Sequence, residues 1–228
     1  MSFRKSLKRL AAKLPATWQS ALKRIQFRHQ IKAGEFRTDE KEFDLLDEWV
    51  SPGDWVLDIG ANIGHYSCRL SDLVGPHGRV VAFEPVPETF ELLAANATQF
   101  ASQNVSLLNL AASDSVEIVG MRIPKFDTGL DNYYMAQLTQ GSADRRILCA
   151  PVDGLNFPQR IRFVKIDAEG HELSVLKGMR DLLARDRPVL VVEDSSAEIA
   201  DYLAPFGYGS RRIESSSNRI FEPLNPAS

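Results

Sequence analysis

The sequence predicts an α/β fold, a parallel sheet covered by helices on both faces. Short apolar runs at 54–59, 79–84, 105–110, 161–167 and 189–193 alternate with segments whose apolar residues recur at helical spacing. That alternation belongs to βα units feeding a parallel sheet. Four of the runs carry an acid at or next to their last residue: Asp58, Glu84, Asp167 and Glu193. The C-terminal edge of such a sheet is where ligands bind. At 228 residues and 44% apolar content, the chain can form one ordinary domain with a substantial core.

Residues 1–34 read as one or two basic amphipathic helices. Phe3, Leu7, Leu10, Ala11 and Leu14 share one side of the first, which Pro15 breaks. Trp18, Leu22 and Ile25 stand at helical spacing in the second. Phe27 and Ile31 extend it less regularly, and Gly34 is a stop. We bound the arm at 1–38, the domain at 39–222 and a tail at 223–228. The domain opens with a helix over 39–50, with Phe43, Leu46 and Trp49 inward, ended by Pro52-Gly53. The first strand (54–59) leads to a helix at 63–74, a turn at 75–78 and the second strand. A helix at 87–100 carries Phe90, Leu93, Ala94 and Ala97, and strand three follows. After strand four, a helix at 171–184 presents Leu173, Leu176, Met179, Leu182 and Leu183. Tyr208–Ile213 and Asn218–Phe221 suggest a closing hairpin after strand five.

About fifty residues, 111–160, interrupt the rhythm between strands three and four, and insertions this long are usually functional or locally structured. They include Gly129, Asp131, Asn132, Tyr133 and Tyr134 and are the candidate substrate lid.

Composition narrows the function classes. No apolar run approaches the roughly 18 residues of a membrane span. The basic N-terminus lacks the apolar core and cleavage site of a signal peptide. Cys68 and Cys149 are the only cysteines, which fits a reducing cytoplasm and offers no zinc spacing. The net charge of −3 hides an asymmetry: residues 1–34 hold nine Lys or Arg and no acid. The remainder carries 18 basic and 30 acidic residues, net −12, unlike the basic face of a nucleic-acid binder. The arm could lie weakly on anionic lipid, or simply pack on the domain.

The most informative stretch is Val56-Leu57-Asp58-Ile59-Gly60-Ala61-Asn62-Ile63-Gly64-His65-Tyr66-Ser67. It reads as strand, tight turn and helix, a geometry that brings backbone and free helix N–H groups close to a ligand. Glu84 ends the next strand about twenty residues after the loop, where an acid accepts hydrogen bonds from ribose hydroxyls. A dinucleotide fingerprint would need glycines where this chain has Asn62 and His65. Asp58 would repel a pyrophosphate but suits a cationic amino-acid group. S-adenosylmethionine (SAM), with its ammonium and sulfonium and no phosphate, is therefore favoured over a nicotinamide dinucleotide. His65 is expected to help shape the pocket.

A second acidic constellation, Lys165-Ile166-Asp167-Ala168-Glu169-Gly170-His171-Glu172, ends strand four. Glu193-Asp194 ends strand five. Asp167, Glu193 and Asp194 could face one another near the cofactor and bind a hard divalent cation such as magnesium, or hold one proton at raised pKa. His171 is the natural general base. Glu169 and Glu172 also suit the first turn of a helix through its dipole.

At these residues the chain resembles the FkbM-type SAM-dependent methyltransferases. The matching pieces are VLDIGANIGHYS (56–67), GRVVAFEPVPETFELLAANA (78–97), VSLLNLAASD (105–114), VKIDAEGHELSVLKGM (164–179) and RPVLVVE (187–193). The resemblance implies a class I methyltransferase fold, Rossmann-like, with a seven-stranded, mostly parallel sheet and a final antiparallel strand. It implies methyl transfer to oxygen, commonly on a sugar, glycan or polyketide hydroxyl. By position, Asp58, Gly60, Asn62 and Gly64 would line the methionine side of SAM, Glu84 would bind the ribose, and Asp114 would contact the adenine amino group. Asp167 and Glu169 belong to the family's D-x-E-G pattern, whereas the family often has another residue at His171. Catechol-type methyltransferases, similar in fold, place metal-binding acids where Asp167 and Glu193-Asp194 stand. Base catalysis by Asp167, Glu169 or His171 and metal assistance both stay open, as do a nitrogen acceptor and a non-catalytic SAM-binding adaptor.

Overall fold

The computed structural model describes residues 16–126, 131–139, 141–193, 196–214 and 216–224. The first arm helix, Gly129, Asp194 and the end of the tail lie outside them. In chain order the elements begin with α1 (Ala16–Ala33), a 3-10 turn (Lys41–Leu45) and the short α2 (Leu46–Trp49). Then come β1 (Trp55–Ile59), α3 (His65–Val74), β2 (Arg79–Phe83), α4 (Pro87–Ala97) and β3 (Val105–Leu108). The insertion supplies β4 (Ala111–Ala112), β5 (Glu117–Arg122), β6 (Gln137–Thr139) and β7 (Arg145–Ala150). The chain closes with β8 (Ile161–Ile166), α5 (Glu172–Lys177), α6 (Arg180–Asp186), β9 (Val189–Val192), α7 (Ala197–Leu203), β10 (Tyr208–Arg212) and β11 (Arg219–Pro223).

Seven strands form the main sheet in the order β10-β11-β9-β8-β1-β2-β3. β3, β2, β1, β8 and β9 run parallel to their neighbours, and β11 lies antiparallel between β9 and β10. The expected fold class, with its last strand reversed, is thus the one observed. Successive side chains alternate between faces, and both faces are buried. Leu57, Ile59, Val164, Ile166, Leu190 and Val192 pack with Val175, Leu176, Leu183 and Leu203 of the helices on one side. Val56, Val80, Phe163, Val191 and Ile220 meet Phe43, Leu46, Tyr66 and Leu70 on the other. The strand order reverses between β1 and β8, and a crevice opens there at the C-terminal edge.

The insertion builds a second sheet, order β4-β7-β5-β6. Its inner face (Met121, Ile147 and Cys149) packs on Val86 and Ala111. Strand three is shorter than its apolar run, because Asn109 turns the chain by donating from Nδ2 to the Glu84 carbonyl at 2.8 Å.

The expected helix over 171–184 is two helices. At the break a Cβ on Gly178 would collide with the carbonyl oxygen of Ser113, so the backbones touch. Asp153 then starts α6 by accepting the Asp181 and Leu182 N–H groups at 2.8 and 2.9 Å. The expected helix at 39–50 is likewise a 3-10 turn followed by α2. There, buried Glu42 accepts from Ser216 Oγ and Asn218 Nδ2, and Glu40 accepts from Tyr66 Oη and Asn218 Nδ2. These bonds tie the start of the domain to the closing hairpin.

α1 packs on the domain through its less regular apolar residues. Phe27 and Ile31 pack against Phe36, Ile63, Leu92 and Phe100, and Arg24 pairs with Glu91 at 3.5 Å. Trp18, Leu22 and Ile25 stay 65%, 47% and 57% exposed. None of the described helices is long and apolar enough to cross a membrane.

Gly178→Ala should destabilise the protein by about 1–3 kcal/mol through overpacking, read as a lower midpoint in urea melts. Gly154→Ala, where a Cβ meets open space, should change the midpoint little.

Candidate active site

Two loops meet at the switch point. After β1 the chain needs left-handed backbone at Gly60, Asn62 and Gly64 (φ 77°, 51° and 96°). Gly60 is obligatory for a second reason: a Cβ there would collide with the Asp167 carbonyl oxygen at the end of β8. Asn62 tolerates its φ because its Oδ1 accepts the next residue's N–H at 2.8 Å. Glu84, 4% exposed, accepts the Asn62 N–H on Oε2 at 2.9 Å and the Val86 N–H on Oε1 at 2.8 Å. Burial outweighs these two bonds and pushes its carboxyl up to about 7.

After β8, Glu169 and Gly170 are also left-handed (φ 50° and 91°). Buried Glu172 holds this turn, its Oε1 accepting the N–H groups of Ala168 (3.1 Å) and Gly170 (3.0 Å). Sequence reasoning gave Glu172 only a dipole role; its side chain folds back instead.

The main-sheet register sets Asp167 beside Glu193. Beneath them Lys165, 2% exposed, places Nζ 3.5 Å from Asp167 Oδ2 and 5.3 Å from the Tyr66 ring centre. Burial alone would lower the lysine's pKa, but Asp167, Glu40, Glu193 and Asp58 hold it above the ordinary range, so it stays charged. Burial likewise favours protonated Asp167. The Lys165 charge, helped by Glu193, overrules it and holds Asp167 below the usual carboxylate range. The bond to Asp167, then burial and the Asp167 charge, push Glu193 up. The two carboxyls are thus pushed apart, Asp167 toward its ionised form and Glu193 toward its protonated form. Lys165 escaped the sequence reading, although a lysine inside a strand buried on both faces is itself a signal.

These groups surround a cleft at the switch point. Gly60, Asn62, Glu84, Asp167, Glu169, His171 and Glu193 form its polar wall. Phe83, Val86, Leu110, Met121, Tyr133 and Leu138 form the apolar one. The insertion thus contributes directly to the cleft. Asp167, Glu169 and Glu193 each bring an oxygen within 4.8 Å of the others, whereas Asp194 lies outside the described residues. His171 lines the cleft with Nε2 2.9 Å from Ser113 Oγ, and burial lowers its pKa. Ser113, buried, was not anticipated as its partner.

Four expected site residues lie off this wall. Asp58 is 1% exposed and accepts the Ser67 hydroxyl at 2.5 Å behind the loop. Gly64 begins α3, where a Cβ would come 2.7 Å from Leu93 Cδ1. Asp114 is exposed and accepts from Ser113 Oγ at 3.3 Å. His65 packs on Phe36 with ring centres 4.4 Å apart rather than shaping the cleft.

A family model described as the methyltransferase FkbM domain matches residues 58–209. The chain belongs to the FkbM methyltransferase family. These are SAM-dependent methyltransferases with a Rossmann-like fold. Among curated relatives, a protein named hexuronic acid methyltransferase AglP, from Haloferax volcanii, is 31% identical over 69% of this chain and 63% of its own length. The chain thus spans less than two thirds of that relative. An FkbM methyltransferase structure from Methylobacillus flagellatus superposes with a TM-score of 0.54 at 21% identity, covering 75% of this chain and 43% of that one. Aeropyrum pernix fibrillarin, solved with natively bound SAM, gives 0.51 at 15% identity, covering 78% and 72%. At such identity the two structures show the fold alone.

Burial, only partly offset by Ser67 and Lys165, raises Asp58 to about 6. Its folded-state pKa therefore exceeds the unfolded value near 4, so stability should fall as pH rises from about 4 through 6. Asp58→Asn keeps the Ser67 partner and removes the titration. Relative to the parent it should gain on the order of 2–3 kcal/mol between pH 4 and 7, measured by urea melts at each pH.

Proposed function

We propose that the protein transfers the methyl group of SAM to a hydroxyl oxygen of a sugar, glycan or related small molecule such as a polyketide. One observation carries this reading: Glu84 and the Asp167–Glu193 pair line the same cleft, an acceptor for ribose hydroxyls beside an acceptor for a substrate proton. The lining suits a cationic cofactor, and the Gly60 turn lets backbone approach it closely. Gly60 and Asn62 would face the methionine portion, with Asp58 and Gly64 supporting the loop from behind. Glu84 would hold the ribose. The apolar wall leaves adenine recognition to packing, since exposed Asp114 does not line the cleft.

SAM supplies a methyl group made electrophilic by the sulfonium. The protein's share begins with position: the two loops hold donor and acceptor in one cleft, and such placement alone lowers a barrier greatly. Asp167, kept ionised by Lys165, takes the hydroxyl proton. Glu193 donates its hydrogen bond to Asp167 and steadies the pair. Glu169 accepts from a neighbouring hydroxyl, and His171, fixed by Ser113, bounds the acceptor side.

The converging oxygens of Asp167, Glu169 and Glu193 have a spacing that a divalent ion could bridge. Lys165 already sets a buried positive charge 3.5 Å from Asp167, and a dication there would be repelled. We therefore infer metal-free base catalysis.

The arm carries a second reading, peripheral contact with anionic lipid. The exposed Trp18, Leu22 and Ile25 stand on a helix with Lys23, Arg24, Arg28 and Lys32, a pairing that suits such a surface. More pelleting with anionic than with neutral vesicles is expected; equal pelleting removes the reading.

Calorimetry should show binding of SAM and S-adenosylhomocysteine. Affinity should fall as pH drops through about 7, because protonated Glu84 loses a charge-assisted bond to the ribose. Glu84→Gln should abolish that dependence and bind about 10–100-fold more weakly. Asp167→Asn should cut kcat about 10²–10⁴-fold with cofactor affinity nearly kept, and turnover should survive EDTA. Loss of turnover on chelation, restored by magnesium, would reverse the metal-free reading.

A further inference from the structure

A sugar offers two kinds of oxygen to an electrophilic methyl group. A carboxylate is already ionised at neutral pH. It needs no base, and it is held by cations, ideally a guanidinium. An alcohol keeps its proton at neutral pH. It needs a base, and carboxylates that accept hydrogen bonds from it and its neighbours hold it in place.

The charge inventory of the cleft separates these cases. Its described lining holds four carboxylates (Glu84, Asp167, Glu169 and Glu193) and one imidazole, with no lysine or arginine. Two cations close to its walls in the fold are already engaged. Lys165 is buried behind Asp167 and does not line the cleft. Arg145, on β7 of the insertion, is bound through Nε to Glu88 at 3.0 Å. A carboxylate on the reacting sugar would meet ionised Asp167 and Glu169 with no lysine or arginine on the described lining to pair it. Hydroxyls would find carboxyl acceptors on the polar wall and the Tyr133 ring on the apolar one.

On the reading of this cleft as a SAM-dependent site for sugars, we propose that its acceptor is an uncharged alcohol on a sugar that bears no carboxylate, and that the product is a methyl ether. The relative from Haloferax volcanii is named for an acidic sugar; the charge of this cleft assigns the opposite class. In the step, the acceptor oxygen forms the new O–CH₃ bond and the C–S bond breaks with its electron pair kept by sulfur. The hydroxyl proton goes to Asp167, and neutral S-adenosylhomocysteine leaves. Nothing is oxidised or reduced. Like-charge exclusion should favour neutral over acidic sugars by about 100-fold or more in kcat/KM.

The full-length protein is incubated with methyl-radiolabelled SAM and a total glycan extract from cells lacking its gene. Part of the product is treated with mild alkali, and the rest is hydrolysed to monosaccharides and chromatographed. Alkali-stable label on a neutral O-methyl sugar is the expected result. Label released by alkali as methanol would mean an ester, and alkali-stable label on a uronic acid would mean an acidic acceptor. Either overturns the inference while leaving methyl transfer to a sugar standing. No labelled sugar, with S-adenosylhomocysteine binding intact by calorimetry, would sink the sugar reading and this inference with it.

Discussion

The site depends on one backbone approach, the Gly60 turn against the carbonyl of Asp167. β1 and β8 are paired along their length, and at their C-terminal ends the two loops must leave the sheet side by side. No side chain fits between them. Because the contact is backbone to backbone, it fixes the loop after β1 relative to the loop that carries Asp167. Glu84 is then anchored to the first loop through the Asn62 N–H, and Glu193 is drawn to the second through Asp167. A single absent Cβ therefore sets the distance between the two halves of the cleft.

Charge balance is the second constraint. Asp58, Asp167 and Glu193 crowd one face of the sheet edge, and burying several carboxylates together is costly. Lys165 makes this tolerable. It projects from near the C-terminal end of β8 into that group and stays charged because they surround it. The same ammonium favours the ionised form of Asp167. Structural neutralisation and the base proposed for the reaction thus rest on one interaction.

The parts of the molecule that the sequence made legible are those governed by local rules. Alternating apolar runs gave the central strands, and the spacing from Gly60 to Glu84 and on to Asp167 gave the cleft's polar wall. What escaped is set by distant contacts. Gly178 splits a predicted helix because Ser113 touches it from the insertion, and no helical period encodes that. Trp18, Leu22 and Ile25 have better spacing than Phe27 and Ile31, yet the latter pair meets the core, because Phe36 and Phe100 happen to stand opposite. Asp58 and Asp114 carry family-like positions, but one lies behind the loop and the other in solvent, a distinction that depends on side-chain direction. Glu172 looked like an ordinary first-turn acid; only the left-handed turn before it, with its unbonded N–H groups, explains why it folds back.

The cleft has walls of different ancestry within the chain. Its polar wall comes almost wholly from loops of the main sheet, which the fold cannot alter without losing the switch point. Much of its apolar wall comes from a small sheet hung between β3 and β8, which packs on the main domain through Val86. Residues such as Tyr133 and Leu138 lie outside the main-sheet loops, so changing them leaves the Gly60–Asp167 contact untouched. An enzyme divided in this way can change customers while keeping its chemistry, so a shared donor loop is poor guidance to the acceptor of any one descendant.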